Sequence, residues 1–302
     1  FFLVASFTHP HEPYYALQQY WDRYRHDEIS LPDTPLQPEE ARGVHTTRML
    51  HHAVLIDSGI TDEHVRTARH SYLANVSYFD DMVGGLIGTL EDTGLLENTV
   101  IVVAADHGDM LGEHGLFYKK HFFEDCIRVP LIIHWPTRFA ASHQSRPSSL
   151  LDLLPTLCDL AGLPLENHVP HPLDGQSLVS ACEGDSADND MPVYAEITSE
   201  GVPTPMFMVR KGHYKLLSGG DAPPGLFDLA SDPHERTNLA SDSAHAEARR
   251  ELEALTQTQW DPDTLQTLVT ISQRQRRLVH AAQQNGKSPN WEHQPEDATT
   301  AW

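Results

Sequence analysis

The chain has 302 residues, 39% of them hydrophobic and 21% charged, a balance typical of folded globular proteins that excludes intrinsic disorder as the default. A formal net charge of -22 argues against nucleic acid and against a membrane surface as partners, because their phosphates would repel it. An anionic substrate would therefore need local cations, from a metal or from a few Lys, Arg and His, to overcome the general field.

Three cysteines, Cys126, Cys158 and Cys182, are an odd number without a CxxC pair. Neither a disulfide framework nor a cysteine zinc site is expected, and a reducing, cytoplasmic compartment fits best. No apolar run reaches the roughly 18 residues that a membrane-spanning helix needs. Twenty histidines are a high count, so a lone His carries no functional claim.

Residues 1–7 (FFLVASF) read as a buried strand. The first residue is Phe rather than Met and no charged leader precedes the strand, so residues are expected to have been lost upstream. Pro10, Pro13, Pro32, Pro35 and Pro38 then mark loop-rich ground, broken by a helical candidate over residues 15–24. Thr61 can cap a helix whose first turn carries Asp62 and Glu63 and whose apolar stripe is Val76, Phe79, Val83, Leu86, Ile87 and Leu90, with Gly94 as its stop. Residues 99–105 (TVIVVAA) form a short β-branched run, the pattern of a central strand covered on both faces. A second strand over 129–134 and a helix over 149–160 complete the order of an α/β domain with a largely parallel sheet flanked by helices.

Beyond residue 164 the pattern changes to a smaller α+β subdomain. Strands over 192–197, 206–210 and 213–217, with a turn at Lys211 and Gly212, suggest antiparallel pairing, and a helix follows over 243–256. Last comes a tail in which Asp261 and Pro262 open a helix. Its apolar stripe of Leu265, Leu268, Val269, Leu278 and Val279 lies beside the basic Arg274, Arg276 and Arg277, a face that suggests a subunit contact and hence a homo-oligomer. The expected division is 1–163, 164–258 and 259–302.

Chemistry-bearing residues collect at strand ends. Asp106, His107, Gly108 and Asp109 follow the apolar strand directly, and in open α/β sheets ligands gather at the carboxyl ends of strands. Asp106 offers a hard oxygen to a divalent cation, and His107 a hydrogen bond to a substrate or nucleophile oxygen. The other reading is a plain strand-ending turn, with Asp106 a cap and His107 at the surface. Lys119, twelve residues past His107 and beyond a glycine-rich loop, could neutralise a sulfate or phosphate oxygen, although Lys120 beside it serves the same chemistry equally well. In the sequence Thr-His-Pro-His-Glu-Pro from residue 8, His9 and His11 can point the same way and present an imidazole to a ligand; a proline-rich surface loop is the alternative.

Taken together, these elements resemble the sulfatases of the alkaline-phosphatase superfamily. The resemblance is carried by residues 72–80 (YLANVSYFD) with Val83 and Gly84, by Asp106-His107-Gly108, Gly112, Gly115, Lys119 and Arg128 to Pro130, and by residues 151–160. It continues through Asp174-Gly175, Phe227-Asp228-Leu229, Asp232-Pro233 and Asn238-Leu239-Ala240. Residues 6–15 and 104–125, with the tail sequences 260–262, 272–277 and 291–298 (WEHQPEDA), are most similar to the choline-sulfatase branch. The resemblance implies His11 and Lys119 as contacts of the sulfate or leaving group, Asp106 as a calcium ligand and His107 near both nucleophile and metal, with Mg²⁺ or Mn²⁺ as alternatives to Ca²⁺. It also implies Asp297 as a contact of a trimethylammonium group. Trp291 nearby has the aromatic face such a cation prefers, or packs the tail.

The family's formylglycine arises from a C/S-x-P/A-x-R motif, and none of the three cysteines sits in one. Nucleophile, companion Arg and the first acidic metal ligands are thus expected upstream. The implied reaction of the complete protein is hydrolysis of a small sulfate ester, choline-O-sulfate. Alternatives are a phosphonate monoester hydrolase or phosphodiesterase of the same superfamily, and a non-catalytic half acting as an assembly partner.

Overall fold

The computed structural model describes residues 1–163, 165, 172–185, 191–220, 222–284 and 286. It divides into two compact units, Phe1–Gln259 and Trp260–Trp302.

The larger unit opens with a correction. Residues 1–7 form no strand, and Phe1 to Val4 are 70–86% exposed. Strand backbone needs a ladder partner, and none of the described strands pairs with this segment. The helix expected over 15–24 shrinks to α1 (Gln18–Trp21), which has no side-chain cap. Helix α2 (Val44–His52) was not anticipated; it buries His45, Thr46, Met49 and Leu50.

Helix α3 (Asp62–Asp92) starts where the sequence places it. Thr61 Oγ1 accepts from His64 N at 3.3 Å while His64 Nδ1 accepts from Thr61 N at 3.2 Å, so two of the helix's orphan donors are satisfied reciprocally. Gly94, at φ +69°, stands just beyond its end. Its buried residues, Val65, Ala68, His70, Ser71, Ala74 and Asn75, all lie in the first half. Val76 and Leu86 of the expected stripe each remain 40% exposed.

Strands β1 (Ile101–Ala104) and β2 (Leu131–His134) pair antiparallel, Ile101 opposite His134 and Ala104 opposite Leu131. The class is α/β as expected, but this pairing is not parallel. A parallel neighbour requires a crossover, whereas residues 105–130 fold into a loop and the four-residue α4 (Glu124–Ile127) and return the chain in the opposite direction. Nor is β1 covered on both faces: its first three residues are half-buried and Ala104 is exposed, because this sheet has two strands among the described residues. Ser149 caps a 3-10 turn that leads into α5 (Leu153–Leu160), and a short α6 (Val179–Cys182) follows.

The second sheet is a meander of β3 (Val193–Ile197), β4 (Met206–Lys211), β5 (Tyr214–Gly219) and β6 (Gly225–Asp228), all antiparallel. The fourth strand was not anticipated, because Leu226 and Phe227 form an apolar run of only two residues between Gly225 and Asp228. Helix α7 (Ala246–Gln259) closes the unit.

Two apolar clusters hold it together. One gathers Met49, Leu50, Met110, Leu116, Phe123 and Cys126; the other joins Phe122 to Met206, Met208, Leu217 and Phe227 of the meander. Phe122 and Phe123, 1% and 6% exposed, thus anchor one short segment into both cores, each side chain contributing about 2–3 kcal/mol of burial. In the second unit, Asp261 caps α8 (Pro262–Gln283) by accepting from Thr264 N at 3.1 Å, with Pro262 in the first turn.

Candidate functional site

The end of β1 delivers Asp106 and His107 to the surface. Asp106 has a side chain 89% exposed; its Oδ1 accepts from the His107 amide at 3.0 Å. His107 Nδ1 lies 2.7 Å from the carbonyl of Gly108. A carbonyl only accepts, so Nδ1 carries the proton and Nε2, 3.7 Å from Asp106 Oδ2, is the free nitrogen. Gly108 sits so close to α4 that a Cβ would come within 2.0 Å of the Asp125 carbonyl, and its amide donates to Cys126 O at 2.6 Å. Only glycine permits this approach.

The loop from residue 109 to 120 is held from below by Glu113. Its buried carboxylate accepts from Asp33 N at 3.0 Å, Thr34 N at 2.8 Å and Arg69 Nη1 at 3.2 Å. Besides Gly112 and Gly115, the non-glycine residues Leu111, His114, Tyr118 and Lys120 have positive φ, from 43° to 79°. Such conformations cost energy and persist where the surroundings enforce them.

This loop brings Lys119 back over the segment after residue 8. Lys119 Nζ stands 2.6 Å from His11 Nε2 and 3.2 Å from Glu12 Oε1. His11 Nδ1 faces the Glu12 carbonyl at 2.6 Å and so holds a proton, which leaves Nε2 to accept from the lysine. The His11 and His107 rings are 6.3 Å apart between centroids. Residues 11, 106, 107 and 119, distant in sequence, therefore share one rim. Lys120 turns elsewhere, pairing with Glu200 at 3.3 Å, and His9 packs edge-on against Tyr78 at 4.8 Å. Asp297 and Trp291 lie outside the described residues.

Three contributors escaped the reading of the sequence. Glu12 bridges Lys119, and Asp109, half-buried, receives Tyr14 Oη on Oδ2 at 2.9 Å. Burial raises the Asp109 carboxyl above the usual carboxylate range and raises the Tyr14 phenol well above the ordinary tyrosine value. Both acids stand inside the singled-out motifs, but only tertiary contacts reveal what they hold.

Among the described residues no three His, Cys, Asp or Glu side chains come together as a metal site. Asp106 offers a single exposed carboxylate, whereas Ca²⁺ takes about six to eight oxygens. These residues alone do not fit a calcium ion.

The sulfatase family model matches residues 1–163, a model for the C-terminal part of N-sulphoglucosamine sulphohydrolase matches 112–261, and one for the choline sulfatase enzyme C terminus matches 267–301. A choline-sulfatase of Rhizobium meliloti is 40% identical over 299 residues, which cover 97% of this chain and 57% of that protein. Arylsulfatase K of Danio rerio is 35% identical over 188 residues, 60% of this chain and 35% of the relative. Among solved structures, a phosphonate monoester hydrolase from Silicibacter pomeroyi superposes with a TM-score of 0.70 at 27% identity, covering 82% of this chain and 53% of its own. The chain thus spans little more than half of the choline-sulfatase and of the phosphonate hydrolase, and about a third of the arylsulfatase. With more than half of its residues matched by the family model, including the whole rim from His11 to Lys119, the chain belongs to the sulfatase family.

Proposed function

We propose that the complete protein is a sulfuric ester hydrolase that splits choline-O-sulfate into choline and sulfate. The observation that carries this reading is the Lys119–His11 contact of 2.6 Å at the rim shared with Asp106 and His107. In a chain of net charge -22, an ammonium aimed at an imidazole is a local cationic spot to which a sulfate ester can bind. Glu12 Oε1, 3.2 Å from Nζ, helps to hold the lysine beside His11. As the S–O bond breaks, Lys119 stabilises or protonates the departing oxygen while His11 Nε2, its acceptor, holds the ammonium in place, with the His107 ring 6.3 Å from that of His11. Formylglycine and a divalent cation, general in this family, supply the attack on sulfur and charge neutralisation. No C/S-x-P/A-x-R motif surrounds a cysteine here and no metal cluster forms among the described residues, so no step is assigned to either group, and Asp106 and His107 are proposed only as contributors to the cation's surroundings.

Choline as the alcohol is supported by the 40% identity to a choline-sulfatase and by the match of residues 267–301 to the choline sulfatase C terminus, a stretch that contains Asp297 and Trp291. A carboxylate and an aromatic face recognise a quaternary ammonium, which has no hydrogen bond to donate. A phosphonate monoester is the second reading, favoured by the structural likeness to such a hydrolase. Three free cysteines support a reducing, cytoplasmic location. The exposed Leu268, Ile271, Leu278 and Val279 of α8 support a homo-oligomer formed through the tail, which a monomeric sedimentation profile would rule out.

The test offers the full-length protein choline sulfate and a phenyl phosphonate monoester side by side. Faster turnover of choline sulfate, reduced at least about a hundredfold by Lys119→Ala, is expected. Faster turnover of the phosphonate, or no loss in the variant, defeats the assignment.

A further inference from the structure

Lys119 and His11 reach each other from loops more than a hundred residues apart, and one carboxylate lies between those loops. Asp109 Oδ1 accepts from the Leu111 and Tyr118 amides, each at 3.0 Å, while Oδ2 accepts from Tyr14 Oη at 2.9 Å. Leu111 is where the glycine-rich loop departs and Tyr118 is where it returns, and the Met110 amide donates to Tyr118 O at 2.8 Å to close its neck. Tyr118 immediately precedes Lys119. Tyr14 stands three residues after His11, and its ring stacks on Tyr118 at 6.3 Å between centroids with 9° between planes. One oxygen of Asp109 therefore fixes the lysine's loop and the other fixes the histidine's.

The backbone supplies a reason for such a clamp. Tyr118 and Lys120, on either side of Lys119, have φ of 67° and 79°, a conformation that side chains other than glycine adopt only under constraint. Without outside ties this stretch would relax and carry the ammonium away from His11. The amide bonds to Asp109 are such a tie, applied one residue from the group that must stay in place.

We propose that Asp109, acting through Tyr14 and the Tyr118 amide, is a positioning residue that sets the Lys119–His11 pair for the leaving group. It does not itself touch the substrate. The proposal rests on the reading of Lys119 and His11 as leaving-group residues, and it makes a prediction that general destabilisation does not. Loss of leaving-group assistance weighs on an alkyl sulfate, whose alkoxide departs poorly, far more than on 4-nitrophenyl sulfate, whose phenolate departs unaided.

The experiment compares Tyr14→Phe, Asp109→Ala and Asp109→Asn in the full-length protein on choline sulfate and 4-nitrophenyl sulfate. Tyr14→Phe and Asp109→Ala are expected to lower kcat on choline sulfate at least about tenfold and on the nitrophenyl ester less than about threefold, with KM little changed. Asp109→Asn keeps an acceptor for both amides and a polar partner for Tyr14, and is expected to recover most of the loss. Equal losses on the two esters, or no loss on either, overturn the proposal.

A second measurement does not depend on turnover. In ¹⁵N-histidine spectra of the full-length protein, Tyr14→Phe must shift the His11 imidazole resonances, and unmoved resonances overturn the proposal even if the variants fold poorly or lose activity. Should the unmodified protein hydrolyse neither ester while those resonances move in Tyr14→Phe, the functional reading fails and the positioning role stands.

Discussion

Lys215 is wholly buried, and removing its ammonium tests how the meander is joined to the candidate site. Nζ donates to the Phe122 carbonyl at 2.7 Å and meets Glu124 Oε1 at 2.9 Å and Glu235 Oε1 at 2.5 Å. Lys215→Met fills similar volume but leaves two carboxylates short of their cation. Breaking a buried pair from one side costs about 3–5 kcal/mol. Two contacts soften the loss: Arg210 still holds Glu124 at 3.1 Å, and the Glu124 amide still donates to Glu235 at 2.7 Å. The lower end, about 3 kcal/mol, is therefore expected.

The penalty should depend on pH. Burial pushes the Glu235 carboxyl up to about 7, above its unfolded value of 4.5, so the folded state binds this proton more tightly. That contribution is fully present at low pH and is lost as pH rises through the folded value; without Lys215 the folded value rises further. The cost of Lys215→Met should thus be larger near pH 8 than near pH 5, by about 1 kcal/mol or more. Urea unfolding at both values measures it, with the slope m checked for constancy. Adding Glu235→Gln should restore much of the loss at the higher pH. A cost below about 1 kcal/mol near pH 8, or no recovery in the double variant, refutes the reasoning.

Acid should destabilise the fold through its buried imidazoles. Burial lowers His45 and His114 to about 4, below the unfolded value of 6.5, so the stability they contribute is present above 6.5 and is lost as pH falls through 4, up to about 3 kcal/mol each; a thermal midpoint that does not fall between pH 6.5 and 4 contradicts this. Gly108→Ala sets a methyl against the Asp125 carbonyl, 2.0 Å from the ideal Cβ position, and is expected to cost at least about 2 kcal/mol. Unchanged urea stability would show that α4 yields freely.

Local signals survived the step from sequence to structure. The Thr61 cap and the Gly94 stop depend on a few neighbouring residues and appear where the sequence places them, while the hairpin turn expected at Lys211 and Gly212 falls one residue later, at Gly212 and His213, because Lys211 pairs with Tyr214. Strands that depend on partners did not fare as well. Residues 1–7 have the composition of a strand but no pairing among the described residues, and β1 has β-branched side chains but an antiparallel neighbour. The site was legible as a list rather than as an arrangement. His11, His107 and Lys119 were singled out by residue type and position, whereas the tie that Asp109 makes between two of their loops could not be read locally, because the partners that make it lie 9 and 95 positions away.

The buried ammonium also orders events during synthesis. Segment 122–124 emerges from the ribosome some ninety residues before Lys215, and until then Glu124 and the Phe122 carbonyl lack the cation that pins them. Segment 122–124, just beyond Lys119, therefore gains this anchor only when the meander docks. A nascent chain that ends before Lys215 should hold the Lys119 loop through Asp109 and yet leave segment 122–124 without its cation.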